Sequence, residues 1–382
     1  MLAVFTLCYP LARRIPRVKT MQISRIVAPL LVAVSLAACS EGNSNNSATP
    51  TPGESRPALD LTFSAPPVEL TNVTADFAAN VAYGEAERNQ FDIFIPDCED
   101  PTPLVIFIHG GGFIDGDKSS AYENFSDDIH AFLQNCVAYA TINYSLLEIP
   151  EDEADLPAAA DQGGILTSLQ DTARALQFMR YHYQSLNLDP ENVALYGVSA
   201  GAGSSLWLGT HDDMAEPENG DPILRESTRI KAVGALHTQA TYDLLDWEDI
   251  LLPITEPFAD VLGGTDLPTL AAAVGASNYL LTAFAVTSIE DLYSADMEEY
   301  RAEMDMLELM DSGDAPIYTE NFEVSFDDLL NVLLHHALHA LEIKERADEV
   351  GLASVAYSGD PTYPLEDPSG ENLVSFLTRH IR

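Results

Sequence analysis

The sequence predicts an α/β domain with a mostly parallel central sheet, helices on both faces and a helical insertion. Three observations carry that expectation. The runs Leu104–Ile108, Val137–Tyr144 and Val193–Tyr196 are almost continuously apolar, as strands are when both faces of a sheet are covered. Between them lie stretches with apolar residues at helical spacing, so strand and helix alternate along the chain. Two of these strands run straight into glycine-rich loops, His109-Gly110-Gly111-Gly112-Phe113 and Gly197-Val198-Ser199-Ala200-Gly201. Both loops then fall on one edge of a parallel sheet, where open α/β sheets bind their ligands.

Residues 1–38 hold five basic and no acidic residues, and the apolar stretch Ile26 to Ala38 is short for a membrane-spanning helix, so this segment reads as a secretion signal. Leu36-Ala37-Ala38-Cys39 has the form of a bacterial lipobox, in which cleavage precedes Cys39 and lipid is attached to it. A start at Met21 would give a conventional basic lead, and a plain cleaved signal or a membrane anchor is the alternative reading. Ser40 after the cysteine suits outer-membrane sorting, so the expected location is a lipid-anchored exported protein facing the periplasm or the cell surface. Residues 39–67, rich in Ser, Asn, Thr, Pro and Gly, read as a flexible tether.

The domain is expected over 68–382. Thr74–Tyr83 and Gln90–Ile95 read as strands forming the antiparallel start of the sheet. Ser126–Leu133 supplies a helix. Asp161–Leu188 carries Ile165, Leu169, Ala173, Leu176 and Met179 at helical spacing, and Asp189-Pro190 is expected to end that helix before the strand that leads to Ser199. Ala202–Gly209 is helical, Ile230–Leu236 a strand. Residues 237–314 are too long for a simple crossover and are cut by Pro253, Pro257 and Pro268, which predicts a helical insertion or lid at the active-site edge. Ala315–Asn321 and Ala353–Tyr357 close the sheet, with a helix over Leu338–Val350 between them.

Ser199 sits where a strand turns sharply into a helix, and a side chain in such a turn needs glycines on either side to make room. With the HGGGF and GVSAG motifs both present, the sequence resembles the α/β-hydrolase superfamily, in particular its hormone-sensitive-lipase-like and carboxylesterase branches, over Val68 to Arg382. Val198 stands where those branches often carry an acidic residue. The resemblance implies an α/β-hydrolase fold, Ser199 as nucleophile, and an oxyanion hole from the backbone N–H groups of Gly111, Gly112 and Ala200. It also implies a catalytic His after the last strand. No His lies between Ala353 and Arg379, and His380 falls in the last turn of a helix, where capping is its expected role. His335 and His336, on the loop leaving the preceding strand, are the substitutes, with His336 preferred and His237 next. His109 is structural in that family, and His339 faces the helix surface or the core. Glu320, Glu323, Asp327 and Asp328 are all placed to supply the acid, and Asp327 is preferred. Cys98 and Cys136 each precede a strand, the two strands are neighbours in that fold, and a Cys98–Cys136 disulfide is expected in an oxidising compartment, two free buried thiols being the alternative.

Sixty acidic residues against 18 basic ones give a net charge of −42, and only four of the basic residues are lysines, which excludes nucleic acid as a partner and suits work in salt. No His/Cys spacing suggests a metal, and no cofactor is implied. The expected activity is that of a serine carboxylic ester hydrolase acting on a small-molecule ester. The alternatives are a lipid-anchored, non-catalytic binding protein on the same scaffold, or a serine peptidase variant.

Overall fold

The computed structural model describes residues 56–322, 325 and 328–382. The signal and lipobox expected over 1–38 and at Cys39 lie outside the described residues.

Among the described residues, nine strands form one sheet: β1 Phe63–Ser64, β2 Ala75–Ala82, β3 Gln90–Pro96, β4 Thr102–Ile108, β5 Ala138–Ile142, β6 Leu188–Val198, β7 Ala232–Leu236, β8 Ile317–Asn321 and β9 Ser354–Ser358. Their order across the sheet is β1-β2-β3-β5-β4-β6-β7-β8-β9. The first three pair antiparallel, β3 pairs antiparallel with β5, and from β5 to β9 every pairing is parallel. The alternation of side chains along each strand divides the core in two. Leu104, Ile106 and Ile108 of β4 face one layer, while Val105 and Phe107 face the other. That explains why these strands read as unbroken apolar runs. Helices α1 Ser126–Gln134 and α6 Leu373–Ile381 cover the second layer; α2 Ile165–Tyr181, α3 Ala200–Thr210 and α5 Ala337–Val350 cover the first. The short helix α4, Leu329–His335, enters from β8 and stops one residue before α5.

Three boundaries differ from the sequence expectation. The domain begins by Arg56, not at Val68. The Arg56 guanidinium donates to the carbonyls of Arg180 and Tyr181, pairs with Glu226 and lies over the Tyr181 ring, and β1 then pairs with β2. Helix α2 ends at Tyr181, and β6 already begins at Leu188, so Asp189 and Pro190 belong to the strand. The register against β4 shifts between Thr102, which pairs with Leu188, and Leu104, which pairs with Val193, and Pro190 falls in that irregular stretch. The segment between β7 and β8 is a series of short helices, three of them opened by a proline in the first turn, Pro253, Pro257 and Pro268, and one closed by the left-handed Gly263. Leu267, Leu270, Leu280, Phe284 and Met304 from this insertion join the same core as α3, so it packs as part of the domain. Cys98 and Cys136, just ahead of β4 and β5, form a disulfide with their Cα atoms 6.2 Å apart.

Candidate active site

Strand β6 delivers Ser199 to the sheet edge, and the residue adopts φ 54°, ψ −120°, a left-handed backbone that a side chain tolerates only under constraint. Helix α3 starts at the next residue. The constraint comes from close packing: a Cβ on Gly201 would lie 2.0 Å from the Ile108 carbonyl oxygen, so only glycine lets the elbow seat against β4. Beside it runs the His109–Gly112 loop. A Cβ on Gly111, whose φ is 112°, would meet the Asp115 carbonyl oxygen at 2.0 Å, and a Cβ on Gly110 would come within 3.2 Å of the Ser199 Cβ. The loop is therefore folded tightly against the serine. Arg88 holds it from behind, donating to the Tyr144 and Gly116 carbonyls and lying 3.4 Å from His109 Nε2. His109 itself is buried, stacked on Tyr144 at 4.3 Å, with its pKa lowered to about 4 by burial, which makes it a neutral part of the scaffold.

Of the candidate bases, His335 is the one the structure brings to the serine: its Nε2 lies 2.8 Å from Ser199 Oγ. His336, the preferred candidate in the sequence, points elsewhere. It is fully buried, accepts from the Leu338 N–H as the N-cap of α5, and faces Asp360 with Nε2 3.6 Å from Oδ2. The reason is local. His335 closes α4, whereas His336 is extended at φ −58°, ψ 147°, so the break between the two helices throws adjacent imidazoles in different directions. Asn321, buried at the end of β8, fixes that break by donating from Nδ2 to the carbonyls of Thr238, His335 and His336. His339 lies in the core, bonded to Ala240 and Leu333.

The other nitrogen of His335 has a partner that sequence reading missed. Nδ1 lies 2.7 Å from Asn331 Oδ1. An amide oxygen only accepts, so Nδ1 carries the proton and Nε2 is left with the lone pair that faces the serine hydroxyl. Of the four carboxylates considered, Asp327 and Glu323 lie outside the described residues. Asp328 caps α4 by accepting from the Asn331 N–H, and Glu320 accepts from the Tyr318 hydroxyl. Asn331 and His335 are four residues apart on one helix, the spacing that puts two side chains on one face, and that spacing was the available signal. Burial, aided by the neighbouring His237, takes the His335 pKa down to about 4, and Asp328 offsets only part of this.

Ser199 opens onto a cavity of about 70 Å³ walled by Phe113, Tyr242, Trp247, Tyr279, Leu330 and Leu334. Its one amide side chain, Gln239, is committed to the Leu334 carbonyl. The insertion thus builds an apolar recess beside the nucleophile. For a metal, Asp243, Asp246 and Asp305 converge within the insertion, yet Asp243 is gripped by both arms of Arg301 and Asp305 caps the Met306–Leu309 turn. Those contacts account for the cluster as an internal cross-link.

Sheet order, elbow and facing histidine together define an α/β-hydrolase fold. The BD-FAE family model matches residues 91–285, half of the chain, and the chain belongs to that family. The match takes in both glycine loops and stops short of His335. Among curated proteins, it is 26% identical over 177 residues to a probable isoprenylcysteine alpha-carbonyl methylesterase of Arabidopsis thaliana, covering 44% of this chain and 32% of the relative. It is 31% identical over 137 residues to the para-nitrobenzyl esterase of Bacillus subtilis (strain 168), covering 34% and 27%. The chain spans about a third of the length of these relatives. Among solved structures, a truncated carbohydrate esterase from gut microbiota superposes with a TM-score of 0.53 at 14% identity, over 85% of this chain and 98% of that one.

Proposed function

We propose that this protein hydrolyses carboxylic esters through an acyl-enzyme on Ser199. The observation that carries the reading is the 2.8 Å contact between Ser199 Oγ and His335 Nε2 on a strained elbow. His335 takes the hydroxyl proton as the oxygen attacks the ester carbonyl, and Asn331 keeps the imidazole in the tautomer this requires. The backbone N–H groups of Gly111, Gly112 and Ala200 receive the developing oxyanion; none of the three has a backbone acceptor among the described residues. Collapse returns the proton from His335 to the departing alcohol, and water repeats the sequence to free the acid. The apolar recess beside Ser199 takes the acyl chain. The curated relatives quoted above are named as esterases, which supports a carboxylic ester as the bond cleaved.

The leader and Cys39 support an exported, lipid-anchored protein. One experiment tests both parts: a fluorophosphonate probe applied to cells making the full chain. Labelling at Ser199 is expected, in the membrane fraction, with release of the labelled protein into the soluble fraction on Cys39→Ala. His335→Ala should abolish labelling and cut ester turnover by several orders of magnitude, as loss of one member of a catalytic unit does. His336→Ala should cost folding stability first. An unlabelled, folded wild-type chain would sink the hydrolase reading in favour of a binding protein on the same scaffold, and a Cys39→Ala protein that stays in the membrane would sink the anchor.

A further inference from the structure

His237 is the first residue after β7 and is held at φ 49°, a left-handed backbone that costs a side-chain-bearing residue free energy. Its ring lies 6.2 Å from the His335 ring, edge to face, and 4.7 Å from the Phe322 ring. No hydrogen bond joins either of its ring nitrogens to a described residue, and the residue is only partly buried. A strained residue whose imidazole bonds no described residue, set against the base His335, is positioned for something brought to the site. The recess that takes the acyl chain does not include it.

The chemistry fixes which part of the substrate passes the neighbouring His335 ring. The leaving oxygen must come within hydrogen-bond reach of His335 Nε2 to receive its proton, about 2.8 Å, so the alcohol lies alongside the His335 imidazole. Phe322, half exposed at 49%, offers that alcohol an apolar surface, and His237 offers it the polar contact on that side. Burial lowers the His237 pKa against the pull of Glu320, which leaves the ring neutral, one nitrogen donating and one accepting. That pairing matches a hydroxyl, which both donates and accepts, and the surrounding negative charge disfavours a carboxylate.

We propose that His237 is a specificity-determining residue of an alcohol subsite, which hydrogen-bonds a hydroxyl carried on the carbon next to the ester-bearing carbon. The assignment rests on the ester-hydrolase reading above. The test compares ethyl butyrate with 2-hydroxyethyl butyrate on the full chain, read as the ratio of their kcat/KM values. The wild type should favour the hydroxyl-bearing ester by about three- to tenfold, the worth of one neutral hydrogen bond. His237→Gly removes the ring at a backbone conformation glycine adopts freely, and should bring the ratio close to one. His237→Asn, which tolerates left-handed backbone and keeps a donor and an acceptor, should retain part of the preference. A wild type with no preference overturns the subsite, as does a His237→Gly protein that keeps the wild-type ratio. Failure to cleave either ester with Ser199 unlabelled overturns the ester-hydrolase reading as well, whereas Ser199 labelling with a ratio of one overturns the subsite alone.

Discussion

At His335 two features of the environment push in the same direction. The ring is largely out of water, which disfavours the imidazolium, and its Nδ1 partner is a neutral amide where a carboxylate would have favoured the charged form. A carboxylate partner, of the kind the sequence's four acidic candidates would have supplied, would have raised the pKa; burial with a neutral partner instead takes it down to about 4. The sign is direct. Catalysis needs neutral imidazole, so kcat/KM for a neutral ester should hold from alkaline pH down through 6 and fall only as pH passes about 4. Asn331→Asp puts a negative charge on Nδ1 and should move that acid limb upward by roughly one to three pH units. A limb near 6.5 in the wild type, or one that Asn331→Asp leaves in place, would refute the neutral-partner account.

Among the elements, the disulfide gives the cleanest prediction. Cys98 and Cys136 tie the entry of β4 to that of β5 across 38 residues of chain. By loop-closure entropy the cross-link is worth about 4 kcal/mol, less any strain. Reduction, or Cys98→Ala with Cys136→Ala, should lower the denaturant midpoint accordingly without changing which residue the fluorophosphonate labels; an unchanged midpoint would remove the disulfide from the stability account. Cysteine position was legible because each residue stood next to an apolar run whose neighbour in the sheet could be named. The same holds for the strands themselves, since a buried parallel strand writes its burial into five consecutive residues. Both glycine loops were legible because close backbone approach leaves glycine no substitute. What the sequence concealed lay at junctions. His335 and His336 differ by one position, and only the helix break held by Asn321 decides which one faces Ser199. Asn331 was not legible because the usual partner of a catalytic imidazole is a carboxylate, although its four-residue spacing from His335 puts both on one helix face. The tether's last residues were misjudged for a related reason: Arg56 grips carbonyls at the end of α2, contacts between residues more than 120 positions apart that local composition does not record.

For the molecule as a whole the question is what its charge does to its stability. The excess of 42 negative charges is what remains after all 18 cations are counted, and several of those cations are held inside the fold, away from the acidic surface. Arg180 spends its guanidinium on the carbonyls of Pro190, Ser227 and Arg229, and Arg88 on the oxyanion loop. Lys118 reaches Asp92 and Asn80 in the interior, and Arg301 clamps Asp243. Two opposing effects of salt follow. Screening weakens the exposed pairs, such as Lys344 with Asp348 and Arg346 with Glu349, which contribute at most about 1 kcal/mol each. It also weakens the mutual repulsion of the acidic surface. Two like charges 10 Å apart in water repel by about 0.4 kcal/mol, and with 42 more negative than positive charges such terms outnumber the attractive ones many times over. Repulsion should therefore dominate. At 1 M salt the screening length falls to about 3 Å from about 30 Å at 0.01 M, which removes most of it. The thermal midpoint of the full chain should rise by several degrees between 10 mM and 1 M sodium chloride, most steeply in the first few hundred millimolar, where the screening length changes fastest. An equal ionic strength of a different monovalent salt should give the same curve if screening is the cause. A midpoint that falls with salt would mean that the exposed ion pairs outweigh the repulsion, and the acidic surface would then need another explanation.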